Sequence, residues 1–85
     1  MPSERIVASG NTVVPALITL ENLGFNVVVQ NNSTGQTVLA SRGNEEYSAD
    51  DPVTVLGLVK LIEGRGWNWK ASDAEIEAIL KKHQI

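Results

Sequence analysis

Cysteine is absent from the 85 residues, and histidine, phenylalanine, tyrosine and methionine each occur once. Without cysteine there is neither a disulfide framework nor a thiolate metal site, so stability has to come from packing, or from packing plus a partner. Nucleophilic catalysis of the Ser-His or Cys-His kind needs a base within hydrogen-bond reach of the nucleophile. The sole histidine, His83, stands almost at the chain end. No G-x-S-x-G, H-x-x-x-H or G-x-x-x-x-G-K-[ST] pattern is present, so triads, zinc proteases and Walker-type phosphate loops lack a motif. These absences predict a protein that is not an enzyme and carries no cofactor.

Long apolar runs are missing as well. None approaches the roughly 18 residues of a membrane span, and Met1-Pro2-Ser3-Glu4-Arg5 has neither the basic n-region nor the apolar h-region of a secretory leader. The expectation is a soluble, cytoplasmic protein with no membrane partner. Two N-x-[ST] sequons overlap at Asn31-Asn32-Ser33-Thr34, and in that compartment they read as turn chemistry rather than glycosylation.

Net positive charge is also lacking. Residues 1–44 set Arg5 and Arg42 against Glu4 and Glu21 and balance. Residues 45–85 set five basic residues (Lys60, Arg65, Lys70, Lys81, Lys82) against eight acidic ones (Glu45, Glu46, Asp50, Asp51, Glu63, Asp73, Glu75, Glu77) and hold the whole net charge of -3. Phosphate backbones demand clustered Lys and Arg, so duplex nucleic acid is excluded as the expected partner. The acidic group Glu45, Glu46, Asp50 and Asp51 lacks the alternating ligand spacing and turn glycine of an EF-hand loop, and reads as solvated charge and helix capping rather than as a metal site.

What is present fits one small domain over residues 1–85, since a chain of this length buries only a modest fraction of its surface and cannot divide. Arg5-Ile6-Val7-Ala8 is an edge strand or an ordered arm. With Asn11 as N-cap and Pro15 in the first turn, a helix runs from about Thr12 to Leu23 and stops at Gly24. Phe25–Gln30 and Thr37–Ser41 form a hairpin across Asn31–Gly35, and Glu45–Ser48 is a candidate third strand. Asp50-Asp51-Pro52 starts a second helix reaching about Glu63 and ending through Gly64-Arg65-Gly66. Ser72-Asp73-Ala74-Glu75 matches the capping box S-x-x-E and opens a last helix to about Lys82. The fold expected is α+β, in order (β)-α-β-β-(β)-α-α, with a two- to three-stranded antiparallel meander packed against three helices.

The helix faces differ. In the last helix Ile76, Ile79 and Leu80 form one stripe with His83, which predicts a partly buried histidine beside a helix C-terminus. In the second, Val55, Leu56, Leu58, Val59 and Ile62 face the core while Leu61 and Val53 project elsewhere. Gly57 and Gly64 lie nearly in line there: either another element or a partner approaches the backbone closely, or Gly64 belongs to the helix end and Gly57 makes room for an intrachain neighbour. The first helix is apolar over more than half its circumference, through Val13, Val14, Ala16, Leu17, Ile18, Leu20 and Leu23, and so calls for burial on more than one side, within the fold or in a homodimer.

Trp67 and Trp69 are the only tryptophans, two apart in a segment read as extended, which puts both rings on one side. Arg65 and Lys70 flank them. Either they close the core between the last two helices, Trp67 being the more buried, or they form an aromatic platform for a partner. Glu45 and Glu46 would guard the edge of the meander and favour basic partners. The partner-binding candidates are therefore Trp67, Trp69, Arg65, Leu61, Glu45 and Glu46. The function expected is a small protein-protein interaction module, binding a protein partner or itself. One version is an acidic protein that masks a basic partner as immunity proteins and antitoxins do, and the alternative is a small-molecule or accessory catalytic domain with a pocket near the tryptophans.

Overall fold

The computed structural model describes residues 4–85, so Met1-Pro2-Ser3, part of the segment read as carrying no leader, lies outside the described residues. A single 3₁₀ turn, Gly10–Thr12, leads into helix α1, Val13–Asn22. Three strands follow, β1 Asn26–Asn32, β2 Gly35–Arg42 and β3 Glu45–Ala49, then helices α2, Pro52–Arg65, and α3, Asp73–His83. The α+β class and the element order match the sequence reading. Arg5–Ala8 forms no strand and is an exposed arm.

The sheet is an antiparallel meander of order β1-β2-β3. Both turns follow from local chemistry. At the first, Asn32 Oδ1 accepts from the Thr34 backbone N–H at 3.0 Å and from its hydroxyl at 2.8 Å, an Asx turn of the kind expected from that polar run. At the second, Gly43 takes φ 57 while Asn44 keeps a negative φ, the glycine-first arrangement that matches strand twist in two-residue hairpins.

Helix ends are set by their caps. Gly24 adopts φ 93, its N–H donates to Glu21 O at 2.9 Å and the Phe25 N–H to Leu20 O at 3.1 Å, the paired bonds of a Schellman motif. This ending drops Phe25 straight into the core beside Leu20. Asp51 caps α2 by accepting from the Thr54 N–H at 2.9 Å, with Pro52 next at the position that needs no donor. At α1 the expected Asn11 cap is replaced: Asn11 lies inside the 3₁₀ turn, its Oδ1 accepting from the Ser9 hydroxyl, and Thr12 precedes α1 without a side-chain cap.

One face of the sheet carries the core. Val38 and Ala40 of β2 and Tyr47 of β3 meet Leu20, Phe25, Val55 and Val59, with Leu17, Val27, Leu56, Leu58 and Ile62 packed around them. Helix α1 lies on β1 and α2, and α2 lies on β3 and β2. Two helices rather than three cover the sheet, because α3 buries none of its residues. Its stripe Ile76, Ile79 and Leu80 stays exposed, and so does His83, which corrects the expectation of a partly buried histidine. Nothing lies within 4 Å of a Cβ built at Gly57 or Gly64, so Gly57 makes room for no intrachain neighbour. No helix among the described residues is long and apolar enough to cross a membrane.

Candidate interaction surface

The sharpest local geometry gathers where β3, the end of α2 and the connector 66–72 meet. Helix α2 ends on Gly66, whose φ of 74 favours glycine, and the chain reverses so that Trp67 comes back over β3. Its ring stacks on Tyr47, centroids 5.9 Å apart with planes 21° apart. Tyr47 in turn meets Phe25 edge-on at 5.7 Å. An aromatic relay therefore runs from the core to the surface.

Glu46, Tyr47, Ser48, Leu58, Leu61, Ile62, Trp67 and Trp69 line an open groove of about 220 Å³ along β3. Trp67 is 61% exposed and Trp69 41%. The expectation that Trp67 is the more buried of the two is overturned: a single ring face on Tyr47 leaves the other in solvent. Both residues border the same groove.

Of the six candidates, the structure brings Trp67, Trp69, Leu61 and Glu46 into this groove, while Arg65 and Glu45 turn elsewhere. Arg65 Nε donates to Trp69 O at 2.9 Å, and Nη2 reaches the Glu75 carboxylate at 3.2 and 3.3 Å. It is the clip that fixes the connector to the first turn of α3. Glu45 accepts from Arg42 Nε at 2.9 Å and from the Tyr47 hydroxyl at 2.8 Å. Arg42 also donates to Leu23 O at 2.8 Å and sits 4.2 Å from the Phe25 ring centroid, joining the end of α1 to the second hairpin. Sequence reasoning missed Tyr47 as the partner of Trp67. The available signal was its position beside Glu46 on a strand with alternating faces.

These contacts set the electrostatics. Hydrogen bonds from Arg42 and then Tyr47 hold the Glu45 carboxyl below its ordinary value, the same Glu45 bond raises Arg42, and burial, followed by the Glu45 bond, pushes the Tyr47 phenol up. Asp51 is lowered by the Thr54 hydroxyl and backbone N–H. Glu75 is lowered by the Ser72 backbone N–H and by Arg65. In each case a carboxylate is satisfied inside its own chain, in the service of a cap or a clip.

The second exposed feature is α3. Ser72 and Glu75 complete a full capping box, with Ser72 N–H donating to Glu75 Oε1 at 2.8 Å and Glu75 N–H to Ser72 Oγ at 3.2 Å. Arg65, Ala71, Glu75, Ile76, Ala78, Ile79 and Leu80 border an apolar cleft of about 470 Å³ between the end of α2 and this helix. No family model, curated protein or solved structure matches this chain. Among the described residues no cluster of three or more His, Cys, Asp or Glu is spaced to hold a metal ion.

Proposed function

We propose that this chain is a cytoplasmic, non-catalytic protein-protein interaction module whose docking element is α3. The observation that carries the reading is the unburied stripe Ile76, Ile79 and Leu80 on a helix whose start is fixed by a complete capping box and an Arg65 clip. An amphipathic helix laid into a partner's groove buries such a stripe by i, i+3, i+4 anchors. An exposed apolar helix face costs solvation free energy in the free chain and becomes favourable on docking.

The groove at Trp67 and Trp69 fits the same reading. Its volume of about 220 Å³ falls below the ~300–1,000 Å³ of small-molecule pockets, and its aromatic walls suit one anchoring side chain of a partner. The version in which acidic residues mask a basic partner draws less support, since Glu45, Asp51 and Glu75 are engaged within the chain.

The test is capture from lysate by the full chain compared with the double variant Ile76→Glu/Ile79→Glu. The reading expects a stoichiometric partner retained by the wild type and lost by the variant, with circular dichroism unchanged in the sheet region. Equal retention by both proteins would refute α3 as the docking element.

A further inference from the structure

Strand β3 is an edge of the sheet, and its register decides which backbone groups are free there. Gly43 and Asn44 form the two-residue loop between β2 and β3, and Arg42 pairs with Glu45 at its closing position. The closing pair of such a hairpin exchanges both of its backbone bonds, and bonded pairs then alternate with unbonded ones. Ala40–Tyr47 and Val38–Ala49 are therefore bonded pairs, whereas Ser41–Glu46 and Leu39–Ser48 are not. The N–H and C=O groups of Glu46 and Ser48 point away from β2 and form a template for one further strand.

The side chains along this edge divide by face. Tyr47 is buried on the face that α2 covers, so Glu46 and Ser48 alternate to the other face. On the covered side the edge is bordered by the groove of about 220 Å³, walled by Leu58, Leu61 and Ile62 of α2 and by Trp67 and Trp69. On the open side Glu46 stands opposite Ser41. Among the described residues it belongs to none of the salt bridges.

We infer that β3 takes up an extended segment of a partner protein as an antiparallel fourth strand, read in the order hydroxyl, aliphatic, basic. This rests on the reading of the chain as an interaction module, but not on α3 as its docking element.

The order follows from the register. An antiparallel segment, the more stable pairing, meets Ser48 first, then Tyr47, then Glu46. Directly opposed residues point to the same face, so only the middle residue turns into the groove. The volume there suits one side chain. Lys70 Nζ already stands 5.9 Å from the Trp69 ring centroid, which makes that side chain aliphatic rather than cationic. The third residue lies ~5 Å from Glu46 and supplies the cation that this carboxylate lacks. The first meets the Ser48 hydroxyl, a pairing that threonine fills. Main-chain bonds to Glu46 and Ser48 then give affinity and the alternate side chains give specificity. The net charge of -3, all of it in residues 45–85, favours the approach of a basic segment.

The experiment follows tryptophan emission of the full chain during titration with the capped peptide Gly-Thr-Ile-Arg-Gly. A saturable change is expected, since both tryptophans wall the groove. Replacing the peptide isoleucine with serine should abolish it. Replacing the arginine with glutamate should weaken binding by roughly fivefold or more, the worth of an exposed ion pair, and Glu46→Arg in the protein should reverse that preference. Backbone methylation fixes the register: an N-methyl group on the peptide arginine removes a donor to β3 and should block binding, whereas one on the isoleucine, whose N–H points away from β3, should not. The reversed peptide Gly-Arg-Ile-Thr-Gly should bind more weakly. The Ile76→Glu/Ile79→Glu variant should bind the peptide as the wild type does, so failure of α3 as a docking element and failure of the β3 edge read out separately. If Glu46→Arg does not fold, the peptide variants still decide. Absence of a saturable change with the parent peptide, equal binding of the arginine and glutamate peptides, or equal loss from methylation at isoleucine and at arginine would each overturn the inference.

Discussion

Trp67 lies nearly parallel to Tyr47, ring centroids 5.9 Å apart, with one face of the indole on the phenol and the other in solvent. Tyr47 is buried and its hydroxyl is held by Glu45. The pair therefore couples a core position to the exposed groove, and the two residues should respond differently to truncation.

Tyr47→Ala is expected to cost about 3–5 kcal/mol, as for other large core aromatics, whereas Trp67→Ala should cost roughly 1 kcal/mol, the scale of an aromatic pair at a partly exposed site. Chemical denaturation of both single variants and the double variant checks this. Equal costs for the two single variants would contradict the one-sided stack.

Gly57→Ala should stabilise the free chain by about 1 kcal/mol, the difference in helix propensity, because nothing lies within 4 Å of the new methyl group. A drop in the unfolding midpoint would show that the position is crowded after all.

Ser72→Ala removes the cap of a helix that buries no residue. The loss, about 1 kcal/mol for such caps, should appear as faster amide exchange confined to α3 while the global unfolding midpoint barely moves, since elements without buried contacts open locally. A matching global shift would mean that α3 is coupled to the core.

Acid should unfold the protein through depressed carboxyls. Glu45 and Asp51 titrate below their ordinary values of 4.5 and 3.8 because hydrogen bonds favour the charged form. Their contribution is complete above those ordinary values and disappears as pH falls through the lowered folded-state values. Melting temperature should therefore decline below about pH 5, and Glu45→Gln should flatten the decline. An identical slope in the variant would contradict the Arg42–Glu45–Tyr47 network.

Most element boundaries were legible because their signals are local. Asp51-Pro52, the Ser72 capping box and Gly24 act through bonds spanning three to five residues, so the residues that make them are neighbours in sequence. The candidate surface was only partly legible. Two of its six residues, Arg65 and Glu45, turn to partners ten and three residues away, and a charge in a sequence does not reveal which partner claims it. Asn11 failed as a cap because a 3₁₀ turn took its place.

The sequence by itself determined the α+β class, the order of elements and most of their ends, since propensity, periodicity and capping depend on residues within a turn or two of each other. Only the tertiary structure decided which apolar faces are spent in the core. Burial depends on contacts between distant elements, and a hydrophobic stripe reads the same whether a neighbour covers it or not. The stripe of α2 is covered; those of α3, the outer flank of α1 and the β1 edge remain open.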